Sequence, residues 1–189
     1  MSKFTNKSIY AKINDTDWEA VHMDKTHSLS TIEFEHHEIH EGNHYFIAGY
    51  DTLASAATIK FVVTTPASGT IEAHMTFGIT GSSVFEMGVY EGLSGYLGGT
   101  ALTAINNDRN STNTSELTVV LDPSGLTYSG TLIDSFKVGS SDKKNPQIGE
   151  GTRDRELILK FGTIYLFEIT SGAADNVISY KGNWYENAV

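Results

Sequence analysis

Thr70-Ile71-Glu72-Ala73-His74-Met75-Thr76-Phe77-Gly78-Ile79 is the stretch whose reading decides the fold. Ile71, Ala73, Met75, Phe77 and Ile79 fall on one face of an extended chain, and Thr70, Glu72, His74 and Thr76 on the other. Strict alternation of this kind predicts a half-buried β-strand, because successive side chains of a strand point to opposite faces. The same pattern recurs on both sides. Upstream, Ile59, Phe61 and Val63 point inward within Thr58–Thr65. Downstream, similar runs occupy Phe85–Val89, Leu117–Leu121 and Leu132–Val138. The last third adds Leu157, Leu159 and Phe161, then Tyr165, Phe167 and Ile169, then Ile178, Tyr180 and Trp184. Turn formers separate the runs at Gly81-Ser82, Gly98-Gly99, Asp122-Pro123-Ser124-Gly125 and Ser171-Gly172. About ten strands without a core helix predict an all-β protein, a jelly-roll-like antiparallel β-sandwich.

The composition agrees. Eighteen Gly against three Pro in 189 residues, with abundant Thr, Ser, Tyr and Phe, suits a turn-rich β protein of one core-bearing domain. The net charge of −10 argues against a nucleic-acid-binding surface. Cysteine is absent, which excludes disulfides, a thiol nucleophile and thiolate metal sites. No long apolar run and no signal-peptide core at the polar start lead us to expect neither a membrane span nor a secretory leader.

Residues 1–30 stand apart from the sandwich domain expected over 31–189. Their apolar residues, Phe4, Ile9, Tyr10, Ile13 and Trp18, are dispersed and do not alternate, and Asp15 is placed to cap a short helix through Trp18 and Val21. This reads as an irregular N-terminal arm or docking segment, with those five side chains as attachment candidates. Two longer polar loops are expected at Ile105–Ser115 and Gly139–Thr152. All three arginines, Arg109, Arg153 and Arg155, lie in or beside them and are expected to pair with carboxylates.

Four of the seven histidines fall in Glu35-His36-His37-Glu38-Ile39-His40-Glu41-Gly42-Asn43-His44-Tyr45-Phe46. His40-Glu41-Gly42-Asn43-His44 satisfies the spacing H-E-x-x-H, whose zinc chemistry requires a helix to aim both imidazoles at one ion. Gly and Asn at its centre are poor helix formers, and Gly42-Asn43 fits a two-residue hairpin turn instead. In that register Glu41 faces His44 across the ladder. His36, Glu38 and His40 would then share one strand face, but His36 and His40 would stand roughly 13 Å apart, too far to chelate together. His36, Glu38, His40 and His44 are therefore the weak metal candidates, and neither a bound metal nor another cofactor is expected. No nucleophile elbow, phosphate loop or dinucleotide fingerprint is present. The carboxylates are scattered, so no catalytic residue is assigned. Trp18, Tyr90, Tyr96 and Trp184 are aromatics that could stack on sugars if exposed.

The set EHHEIHEGNHYF, VVTTP, EAHMTFGI, VYEG, NNDRNS, RDRELILKFGTIYLFEITS and ISYKGNWYE, collinear from about Glu33 to Glu186, resembles a family of tailed-bacteriophage virion structural proteins. Members are generally head decoration (cement) proteins or related particle components with no assigned catalysis. The resemblance implies a structural role for the histidine-rich run. It implies the major capsid protein as partner, a homo-oligomer (a trimer matching a local threefold), and a place on the outside of the virion after assembly in the host cytoplasm. A tail-associated or glycan-recognising β-sandwich module is the alternative expectation.

Overall fold

The alternation of Thr70–Ile79 requires a second apolar surface to bury its inward face, and the chain supplies one with two antiparallel sheets laid against each other. The computed structural model describes residues 34–67, 69–127, 129–139 and 155–188, and the backbone of 10–12, 18–20 and 147–149. A two-stranded ribbon pairs β1 (Tyr10–Lys12) with β2 (Trp18–Ala20). After helix α1 (Phe34–His40) come β3 (His44–Leu53), β4 (Thr58–Thr64), β5 (Ile71–Gly81) and β6 (Phe85–Glu91). Three short strands follow, β7 (Thr100–Leu102), β8 (Ile105–Asn106) and β9 (Thr118–Leu121). The chain closes with β10 (Thr131–Val138), β11 (Gln147–Gly149), β12 (Leu157–Leu159), β13 (Ile164–Ser171) and β14 (Asn176–Ala188).

The first sheet has the order β10-β6-β13-β4-β9-β7 and the second β11-β5-β14-β3-β8, with β12 pairing elsewhere along β5. From β3 to β6 each strand crosses to the opposite sheet, and the final strands cross again from β12 to β13 to β14. This is the antiparallel β-sandwich expected from the alternation.

The inward faces make one core. Ile59, Phe61 and Val63 of β4, Phe85, Met87 and Val89 of β6, and Tyr165, Phe167 and Ile169 of β13 come from the first sheet. They meet Ala73, Met75, Phe77 and Ile79 of β5 and Ile178 and Trp184 of β14. Phe61 sits at the centre, its ring 5.2 Å from Phe77 and 4.5 Å from Tyr180, while Phe77 stacks on Phe167 at 5.0 Å. Tyr180 reaches this position only because Gly49 leaves its ring free of a facing Cβ. Each such side chain contributes roughly 1.5–3 kcal/mol on burial. A smaller cluster on the outer face of the first sheet joins Val62, Leu166 and Leu93, so β4 is covered on both sides.

Several local expectations are corrected. Residues 34–40 are helical, not a strand, and Gly42-Asn43 does not turn a hairpin. Glu35 in the first turn complements the helix dipole, and the helix stacks His36 on His40 at 4.8 Å. Its end is a Schellman motif: Asn43 N–H donates to Glu38 O at 2.9 Å and Gly42 N–H to Ile39 O at 3.1 Å. Gly42 sits at φ +74°, the left-handed conformation that this ending demands. Trp18 lies in β2, paired with Lys12 of β1, and not in a helix. The expected loop at Gly139–Thr152 contains β11, which pairs with Ile79–Gly81, and the loop at Ile105–Ser115 opens with β8. Phe161 is in an exposed turn beyond β12. In β10 a register shift between Leu132 and Asp134 turns Leu132 outward, where it is 51% exposed.

Phe61→Ala is therefore expected to cost about 3–5 kcal/mol and to lower the thermal midpoint by roughly 6–20 °C. Leu132→Ala should stay within about 0.5 kcal/mol of the parent. Urea titrations of the two variants side by side check the assignment of inside and outside.

Candidate functional site

Strand β14 sets the site. Its register places Tyr185 opposite His44 of β3 on one side and His74 of β5 on the other. Trp184 points into the core, so by alternation Tyr185 and its two neighbours project from the outer face of the second sheet. Outer-face residues of a sandwich ordinarily meet water. Here α1 and the chain at 155–157 cover them, and His44 is only 2% exposed.

The three rings form a row across the sheet. Tyr185 stacks on His74 with centroids 4.6 Å apart and lies 6.5 Å from His44. Carboxylates close both ends. Glu35 of α1 places Oε1 3.3 Å from His44 Nε2. At the other end Tyr185 donates its hydroxyl to Glu156 Oε1 at 2.6 Å, and His74 Nδ1 lies 2.9 Å from the same oxygen. Glu72 adds an oxygen 3.7 Å from His74 Nε2. A cavity of about 140 Å³ lies among Glu35, His44, His74, Glu156 and Tyr185. His44 Nδ1 is buried and has no hydrogen-bond partner among the described residues. Burial holds the His44 pKa below its ordinary 6.5, with Glu35 pulling it upward and Lys181 adding to the depression. Chemically the row is two histidine–carboxylate pairs bridged by a tyrosine, which couples α1 and the 155–157 segment to the sheet.

A second polar cluster lies on the inner side of β14. The buried carboxylate of Glu186 accepts from Trp184 Nε1 at 2.9 Å, from Ser115 Oγ at 2.5 Å and from Glu116 N–H at 3.0 Å. It closes that end of the core and ties the loop before β9 to the last strand. Trp184 is thus a core residue at 1% exposure and cannot stack on an external sugar.

The structure separates the four metal candidates. His36 and His40 stack on the exposed side of α1, whereas Glu38 is buried, 3.5 Å from His37 Nδ1 and accepting from Asn43 Nδ2 at 3.4 Å. His44 lies on β3 against Glu35, and Glu41 lies 3.9 Å from His37 instead of facing His44. The 13 Å strand separation expected for His36 and His40 is replaced by helical stacking, because one helical turn brings i and i+4 together. Among the described residues no three His, Asp or Glu side chains converge as metal ligands. Of the attachment candidates, Tyr10 lies in β1 and Trp18 in β2, while Phe4, Ile9 and Ile13 lie outside the described residues. Arg155 pairs with Asp134 at 3.7 Å, as expected for a loop arginine. Arg109 instead donates to the carbonyl of Asn106 at 3.4 Å, and Arg153 lies outside the described residues.

His74, Glu156 and Tyr185 were not singled out by residue chemistry, because each reads as an ordinary polar position of its own strand or loop. EAHMTFGI, RDRELILK and NWYE all reach this row, together with the EHHEIHEGNH run. No protein-family description, curated protein or solved structure matches this chain.

Two outcomes follow. A group held neutral in the folded state binds fewer protons than in the unfolded chain. The contribution of His44 is therefore fully present above pH 6.5 and lost as pH falls below it. An NMR titration of the histidine rings should place His44 below 6.5, and urea stability should decline from pH 7.5 to 5.5. If the histidines are architectural, treatment with EDTA should leave the thermal midpoint within about 1 °C, since no ion-binding free energy would then be linked to folding. A drop restored by zinc would reinstate a metal role for the histidines.

Proposed function

We propose that this protein is a non-enzymatic structural subunit of a tailed-phage particle, a decoration (cement) protein seated on the outside of the head. One observation carries the reading. Sequence fragments of the virion-protein resemblance from both ends of the sandwich domain converge on the row His44–Tyr185–His74. There their polar side chains bind one another and fasten α1 to the sheet. Residues used in this way are architectural, as expected for a signature of assembly and not of turnover.

The strand order supports a jelly-roll assignment, with β3-β14-β5 and β12 on one sheet and β4-β13-β6-β10 on the other. A subunit added to a preformed lattice is held by modest buried area repeated at many sites and needs no active site. The partner in this reading is the major capsid protein, met by a homotrimer on a local threefold. The acidic net charge discourages adhesion to other anionic surfaces.

A receptor- or glycan-binding module is the second reading. It is favoured by a groove of about 470 Å³ on the outer face of the first sheet, where Tyr90 and Leu132 flank Glu86, Ser135 and Thr170. Purified undecorated heads separate the two. The full chain should bind them to saturation. A truncation lacking residues 1–28 should remain folded, because the core is drawn from Tyr45 onward, but lose occupancy. Full-affinity decoration by the truncation would move attachment to the sandwich. Failure of the full chain to bind heads, combined with retention on a glycan surface, would favour the second reading.

A further inference from the structure

The edges of the two sheets are unequally defended. β7, β11 and β12 have three residues each and β8 has two. β10 is longer but carries its register shift and two charged pairs, Arg155–Asp134 at 3.7 Å and Lys137–Glu86 at 3.6 Å. Short edges, bulges and charges are the ordinary protections against edge-to-edge pairing. β3 lacks them. It pairs with β14 along its whole length without a register shift, whereas β8 covers only Tyr45 and Phe46 of its other side. From Ile47 to Leu53 that side has no strand partner among the described residues.

Thr52 N–H donates to the Asp51 carboxylate at 2.7 Å and so stands outside the ladder with β14. Backbone groups alternate sides along an antiparallel strand, which turns the N–H and C=O of Tyr50 and Ala48 the same way. Ala48, Tyr50, Asp51 and Thr52 are all exposed, and Tyr50 at 77% is the most exposed large apolar side chain among the described residues. Val177 of β14, two positions from Ser179 (the cross-strand partner of Tyr50), is exposed as well.

We propose that β1 of one copy adds to this free edge of β3 in a second copy. The ribbon of β1 and β2 is a sheet of its own, three residues per strand, and such a hairpin is marginal in water unless it extends a larger sheet. Among the described residues neither β1 nor β2 pairs with a strand of its own sandwich. Charge favours the match: residues 1–12 hold three lysines and no acid, in a chain whose net charge is −10, and Asp51 lies on the receiving edge. The thirteen residues from 21 to 33 span at most about 43–47 Å when extended, enough to cross to a neighbour. The contact is head-to-tail, so it closes into a ring if the rotation permits, and a threefold ring is one such closure.

Light scattering on the full chain tests this without any phage head. The parent protein should be a closed oligomer at micromolar concentration and should dissociate as salt is raised. Tyr50→Pro removes only an N–H that faces away from β14, and Tyr50→Lys places a charge on the edge while keeping the backbone intact. Both should be monomeric with unchanged far-ultraviolet circular dichroism. Hydrogen exchange of the parent should show the Ala48 and Tyr50 amides and those of Tyr10–Lys12 gaining protection together as concentration rises. A parent protein that stays monomeric would overturn the inference, as would Tyr50→Lys remaining oligomeric with the edge amides unprotected. Decoration of heads by a monomer would leave the head-binding reading intact while this one fails.

Discussion

Hydrogen bonding along both sides of β14 is the constraint on which the rest of the molecule depends. Asn176–Tyr185 must stay in register with β3, and Ile178–Ala188 with β5, at the same time. A slip of one residue would turn Ile178, Tyr180 and Trp184 out of the core and bring Val177, Ser179, Lys181 and Tyr185 into it. The register that buries Trp184 also sets Tyr185 between His44 and His74, so core and polar row are specified together. The long loop before β9 depends on the same strand through Glu186, which ends the inward series and receives the Trp184 indole. Burial of that carboxylate is tolerable because three donors surround it.

The polar row has a different character from the core. Burying the His44 imidazole, and partly burying His74 and Glu156, loses hydration that apolar side chains would not lose. In return the row fixes α1 at a single place on the sheet, since only there do Glu35 and His44 meet. The His44 Nδ1, without a hydrogen-bond partner among the described residues, marks where this arrangement is least satisfied, and burial outweighs Glu35 in lowering the pKa of that ring.

The two-residue period was legible wherever a strand is covered on one face only, as in β5, or lies deep in the sheet, as in β4 and β13. It was misleading at 34–40. Seven residues give a helix too little length for an apolar stripe, and Glu35, Glu38 and the histidines are polar on every side. The polarity that resembled loop and hairpin is instead matched by Glu38 bonding to Asn43 and Glu35 approaching His44, contacts invisible to local pattern. β11 was hidden because three residues in a polar stretch carry no period. Leu132 misled because a register shift breaks alternation without leaving a mark in the sequence. The candidate site was half legible: the histidine run was conspicuous, but Glu156 and Tyr185 join it from 29 residues apart and His74 lies 82 residues from Glu156.

The proposed role, a subunit added to something larger, rests on the polar row that fastens α1 to the sheet and on the partly open edge of β3. Electron cryomicroscopy of phage heads saturated with the full chain examines that claim most directly. The account predicts sandwich density repeated over the outer surface of the head lattice, with the N-terminal residues inserted between subunits. Bare heads, or density confined to the tail, would contradict it.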